Sequence, residues 1–226
     1  MQTFINILSS LLLLSVVSFS QTPTKKSIET NTTKWVVDGH VLPPEPDPVL
    51  NNATLLGIDV NNNGVRDDVE RWIYETYDEY VPCHQEPDGE ETLPSGQVVQ
   101  FAKEVCEETP VPYHPVVRAV AMQGARAAQI IIQEPEKARE TLKIWDDALF
   151  CSFAVNDFKD NNQRQLYKDY MYGNEFKKIQ FNTIKRARAF GEFNFNLSGG
   201  VYDSPSHKVM LQGCSQEVHI LLEDLK

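Results

Sequence analysis

From residue 67 onward, apolar residues in this chain recur at three- and four-residue steps, the spacing that gathers them on one face of an α-helix. Val69, Trp72, Ile73, Thr76, Tyr77 and Tyr80 form one such stripe and predict a helix from about Asp67 to Tyr80, with Asp67 and Asp68 suited to its positive N-terminal end. A second helix is expected from Ser95 to Glu108, with Pro82, Pro87 and Pro94 in the loop before it. Val116, Val117, Val120, Met122, Ile130, Ile131 and Ile132 make the segment from Pro115 to Gln133 the most apolar, the expected central core helix. Arg118 and Arg126 within it rule out a simple membrane span. Pro135 suits a first helical position and opens another helix through about Phe158, with Ala138, Leu142, Trp145, Leu149 and Phe153 facing inward. Further helices are predicted near Asn161–Tyr172, Asn174–Phe193 and Ser215–Leu225.

Six or seven helices with little strand signal predict an all-α helical bundle. The N-terminal part reads differently. Trp35, Val36, Val37 and Val41 suit a short strand or strap, and Pro43, Pro44, Pro46 and Pro48 then impose extended geometry. The expected organisation is a signal peptide over 1–20, a flexible or extended lead over 21–41 and a single helical domain over 42–226.

Between the proline-rich stretch and the first helix lies the strongest chemical pattern, Asp59-Val-Asn-Asn-Asn-Gly-Val-Arg-Asp-Asp-Val-Glu70. A calcium ion takes six to eight hard oxygen ligands, and a short loop supplies them only when alternate side chains converge. Asp59, Asn61 and Asn63 stand at those alternate positions, and Gly64 stands where the chain must turn sharply. The carbonyl of Val65, the carboxylate of Asp67 and both oxygens of Glu70 complete the set. The run resembles an EF-hand calcium loop, and because the prolines argue against an entering helix it is most similar to the single loop-helix half-hands of secreted proteins, such as each calcium repeat of dockerins. The resemblance covers roughly residues 57–80 and implies a calcium site. It implies no cohesin partner, since one copy is present where dockerins carry two. Arg66, at a position usually apolar in paired EF-hands, is expected to face water. With three anionic ligands, affinity is expected in the extracellular range of about 0.1–1 mM.

Composition narrows the setting. The first twenty residues carry no charge and hold an apolar run from Leu11 to Phe19 followed by small residues, which predicts export and a secreted or periplasmic location. The net charge of -11 argues against nucleic acid and anionic membranes as partners. In an exported chain, Cys83, Cys106, Cys151 and Cys214 predict two disulfides out of three possible connectivities, and modest loop lengths favour Cys83–Cys106 with Cys151–Cys214. A metal site using Cys83, His84, Cys106 and His114 is the weaker alternative, because that spacing matches no standard zinc pattern.

Two further groups stand out. Lys177, Lys178, Lys185, Arg186 and Arg188 form a basic cluster expected to be a solvated helix face, while Phe190, Phe193 and Phe195 are expected in the core. No nucleophile motif, phosphate loop or His-Asp pair occurs. The expected function is therefore that of an exported, non-catalytic protein with one structural calcium site and an unidentified protein or small-molecule partner. A calcium-dependent secreted hydrolase and a small-ligand carrier with an inter-helix pocket are the alternatives.

Overall fold

The computed structural model describes residues 36–37, 39–160, 164–167, 172–200 and 204–225. The expected signal segment and most of the lead lie outside them. The chain from Lys34 onward forms one compact unit.

The all-α expectation is wrong. Among the described residues eight α-helices are joined by three two-stranded antiparallel sheets, so the architecture is mixed. The elements are β1 (Val36–Val37), β2 (His40–Val41), α1 (Pro48–Ala53), α2 (Asp67–Thr76), β3 (Glu79–Tyr80), β4 (Cys83–Thr92), β5 (Val98–Cys106), β6 (Val111–Pro112), α3 (Pro115–Ile131), α4 (Ala138–Asn156), α5 (Asn174–Gln180), α6 (Ile184–Leu197), α7 (His207–Gln212) and α8 (Gln216–Glu223). The expected helix from Asp67 to Tyr80 ends at Thr76, with Glu79–Tyr80 forming β3, and the expected helix at Ser95–Glu108 is the largest part of the error. Its Leu-Pro-Ser-Gly start is a hairpin turn, in which Gly96 at φ +80° donates to the Leu93 carbonyl at 2.8 Å. Val98, Val99, Phe101 and Val105 then follow β preference and pair with β4.

A second correction concerns the segment before the loop. The prolines do not exclude a helix there, because Pro48 occupies a first-turn position where a missing N–H costs nothing and Asp47 caps it by accepting from Val49 and Leu50. This helix, α1, ends several residues before Asp59 and so does not abut the loop. The expected helix over 174–193 is divided at Phe181–Thr183, where Thr183 caps α6 by accepting from the Arg186 amide. Much of the expected 161–172 helix lies outside the described residues, and residues 164–167 are not helical.

The core is organised around α3, which packs against α2, α4 and α8. Thirteen of its seventeen residues are buried, many of them alanine, which lets neighbouring backbones approach closely. Gly124 marks the tightest approach, since a Cβ there would run into the Tyr172 ring. The Tyr172 hydroxyl wedges between two helices, donating to the carbonyls of Val120 (2.9 Å) on α3 and Ala148 (3.3 Å) on α4. On α4 the inward face is Ala138, Trp145, Ala148, Cys151 and Val155, whereas Phe153 points outward. The last two helices reach this core through a covalent tie.

Both expected disulfides are present and leave no free cysteine, which removes the Cys-His metal alternative. Cys151–Cys214 joins α4 to the link between α7 and α8, while Cys83–Cys106 clasps directly opposed residues at the base of the β4–β5 ribbon. Among the described residues no helix is long and apolar enough to cross a membrane.

These two bonds differ in what they hold. Replacing Cys151 and Cys214 by serine frees a 63-residue separation inside the core and is expected to lower stability by about 4 kcal/mol in urea unfolding. The same change at Cys83 and Cys106 is expected to cost much less, because among the described residues the ribbon barely packs on other elements and can fray without unfolding the body.

Candidate functional site

Residues 59–66 fold back on themselves through side chain to backbone bonds. Asp59 accepts from the amides of Asn63 (3.1 Å) and Gly64 (2.9 Å), Asn61 Oδ1 from Asn63 (3.2 Å), and Asn63 Oδ1 from Val65 (2.8 Å). Gly64 has φ +83°, the left-handed conformation that favours glycine, as the twelve-residue pattern requires. Two bonds close the loop onto the start of α2. The Asp67 amide donates to the Ile58 carbonyl at 2.8 Å, and Asp67 Oδ1 accepts from the Val60 amide at 3.0 Å.

The two carboxylates that begin α2 on its inner side, Asp67 and Glu70, are both 0% exposed. Glu70 Oε2 accepts from the side-chain amides of Asn61 (3.1 Å) and Asn63 (2.7 Å), while Oε1 lies 2.7 Å from His40 Nε2. His40 was not singled out in the sequence, where a lone histidine carries no signal. It comes from β2, 30 residues away in sequence, and stacks on Tyr74 of α2 at 4.4 Å. The structure therefore brings Asn61, Asn63 and Glu70 into direct contact and turns Asp59 and Asp67 toward loop amides. Val65 is buried in the core cluster, anchoring the loop from beneath.

Charge accumulates here. Burial is the main cause that raises the Asp67 carboxyl above its ordinary range; the Val60 hydrogen bond opposes it, and the nearby Asp59, Glu70 and Asp68 carboxylates add to the rise. Asp67 Oδ2 is buried with no hydrogen-bond partner. The set is hard and oxygen-rich, which fits a calcium-type cation, and the six residues that could hold one are Asp59, Asn61, Asn63, Val65 through its carbonyl, Asp67 and Glu70. Weighing the other way, no group of three or more His, Cys, Asp or Glu among the described residues is gathered tightly enough to hold a metal by itself.

Arg66 contradicts its expected place in water. It is 1% exposed, pairs with Asp68 through Nε (2.5 Å) and Nη2 (3.2 Å), and donates to the carbonyls of Ile179 (2.7 Å) and Gln180 (3.1 Å). Those two carbonyls end α5, where a helix leaves acceptors without internal partners. Arg186, expected on a solvated face, is 0% exposed and does the same for α1, donating to the carbonyls of Asn51 (2.6 Å), Thr54 (3.3 Å) and Leu55 (2.9 Å) and to the side chains of Asn52 (2.9 Å) and Asn182 (2.5 Å). Burial first, and then the Arg66 charge, lower the Arg186 pKa to about 10. Gly57, at φ +73°, lies against both arginines and has no room for a Cβ.

The remaining candidates are dispersed. Lys178 is exposed and paired with Glu175, and Lys185 reaches the Ala53 carbonyl at 3.3 Å. Phe193 is buried as expected and Phe190 is half-buried, stacked on Phe181 at 4.1 Å, but Phe195 is exposed. A cleft of about 280 Å³ opens beside β3 and β6, with Tyr80, Tyr113, His114, Asp160 and Leu166 in its wall. Burial lowers the His114 pKa, and its Nδ1 accepts from the Val116 amide at 3.3 Å, so it serves as the cap of α3. No family model, curated protein or solved structure matches the chain.

Arg186→Lys is expected to lower stability by about 3 kcal/mol, since a single ammonium cannot serve acceptors spread around a planar guanidinium. Urea unfolding monitored by circular dichroism measures it; a loss no larger than that of an exposed Arg188→Lys control would show that the hydrogen-bond fan contributes little.

Proposed function

We propose that this chain is an exported, non-catalytic protein whose residues 59–70 take one calcium ion, which pins the N-terminal segment to the helical body. The observation that carries the reading is Asp67, a fully buried carboxylate with an unpartnered oxygen beside Asp59 and Glu70, in a loop already turned about Gly64. A buried carboxylate left this way is costly unless a cation is supplied. Asp59, Asn61, Asn63, the Val65 carbonyl, Asp67 and Glu70 would hold the ion, which would supply the positive charge that the cluster lacks. Asn61 and Asn63 would have to turn their amide oxygens, rather than their nitrogens, toward it.

Export is supported by the uncharged apolar N-terminus and by two disulfides that use every cysteine. A site of modest affinity would stay loaded outside the cell and act as a staple, contributing about 1.4 kcal/mol at ten times Kd.

Calorimetry with millimolar calcium is expected to register one binding event and scanning fluorimetry a raised Tm, both lost in Glu70→Gln. Asp67→Asn gives an opposed pair of outcomes. In chelating buffer it removes a buried carboxylate charge whose second oxygen has no partner and is expected to stabilise by about 1 kcal/mol. In millimolar calcium the same variant is expected to be less stable than the parent. No heat and no thermal shift with calcium would overturn the reading.

A further inference from the structure

The β4–β5 ribbon is a conspicuous piece of unused surface. Its strands run ten and nine residues, pair only with each other, and pack substantially on no other helix or strand among the described residues. A lone two-stranded ribbon is marginal in water, and each of its edges presents backbone N–H and C=O groups that the β4–β5 ladder does not use.

The two edges are not equivalent. β4 carries Pro87, which has no N–H, and an irregularity between Pro87 and Gly89, two devices that blunt an edge against further pairing. β5 has no proline from Val98 to Cys106 and no irregularity of its own. Val99, Phe101 and Val105 alternate along one face of β5, with Phe101, 48% exposed, opposite the bare Gly89. On the same face Val99 lies opposite Glu91, and Lys103 opposite Glu86. The ribbon thus offers one open edge, an apolar stripe and flanking carboxylates.

Charge selects the occupant. From Cys83 to Glu108 there are seven acidic residues (Glu86, Asp88, Glu90, Glu91, Glu104, Glu107 and Glu108) against Lys103, a net of -6 out of the chain's -11. Two such ribbons repel, so edge pairing with a second copy is opposed, as is approach to an anionic membrane.

We propose that the β5 edge is a docking site for a cationic extended segment of another protein, one that alternates Lys or Arg with apolar residues and adds to the ribbon as a third antiparallel strand. Backbone bonds along β5 supply the affinity, the Val99–Phe101–Val105 stripe takes the apolar side chains, and the acidic residues set sign and orientation. The inference is independent of whether the 59–70 loop takes calcium.

The test uses the full chain and the peptide acetyl-Lys-Val-Lys-Val-Lys-Val-Lys-amide, with a control of equal charge in which two valines are replaced by proline. Amide chemical shifts and titration calorimetry, at low and at physiological salt, are expected to show the first peptide bound at Val98–Val105, more weakly as salt rises, and the control at least tenfold weaker. Glu90→Lys/Glu91→Lys is expected to weaken binding at least tenfold, and Phe101→Ser severalfold, with circular dichroism unchanged; both sites are exposed, so neither variant threatens the core. Equal binding of the two peptides would reduce the effect to net charge and overturn the proposal, as would shifts mapping away from β5 or no binding at all. A concentration-dependent dimer of the protein alone, lost in Phe101→Ser, would assign the edge to a second copy and overturn it too.

Discussion

Two buried guanidinium groups hold the polar half of this structure in place. Arg66 satisfies the end of α5 and Arg186 the end of α1, and both crowd against Gly57. The helices they serve are only seven and six residues long. Helices that short are not stable by propensity, and their last carbonyls have nowhere else to bond once buried. An arginine with five donors in a rigid fork resolves several of them at once, which a lysine or a water cannot do from a single position. The cost is a pair of like charges in the interior, visible in the depressed Arg186 pKa and offset in part by Asp68.

What could be read from the sequence followed the length of the pattern. α3 and α4 were legible because seventeen and nineteen residues of continuous helical spacing leave few alternatives. The disulfide pairs were also legible, since each joins neighbours in the chain's order. The ribbon was not, because Val98–Cys106 offers apolar residues compatible with either period, and the Pro-Ser-Gly turn before it resembles a helix start. α1 was missed for the opposite reason: proline was taken as a breaker at the one position where it is a helix former. Within the loop the turn at Gly64 was legible from one residue type, whereas His40 against Glu70 depends on a strand pairing that only the tertiary structure supplies.

The sequence also misplaced its charges. Arg66 and Arg186 read as surface residues because, without knowledge of which carbonyls lie nearby, burial of an arginine is always the less common outcome. What reverses it is local: each stands beside the end of a short helix it does not belong to. By contrast, Asp67 and Glu70 were read as members of one converging loop set, and both are buried at the start of α2 in contact with that loop. Charge that is placed by tertiary contact leaves no such local pattern in the sequence.

Arg66 connects these two polar systems, and its position shows how a single loop is held in place without a second one. In paired EF-hands the eighth loop position lies in a short strand against a sister loop, so each loop is held by its twin. Here that position faces the C-terminal end of α5 and is held by two carbonyls and by Asp68 at the first turn of α2. The far end of the loop is fixed by α5, the near end by the Asp67 amide to Ile58, and the floor by Val65 in the core. A loop restrained at three points has already lost most of its conformational entropy before any ligand arrives. What remains concentrated in it is negative charge: Glu70 is met by His40 and by the side-chain amides of Asn61 and Asn63, while Asp67 is met by the Val60 amide at one oxygen and has no hydrogen-bond partner at the other. The order of this backbone therefore comes from α5, Ile58 and the core rather than from a paired loop, and it is this order that holds two buried carboxylates so close together.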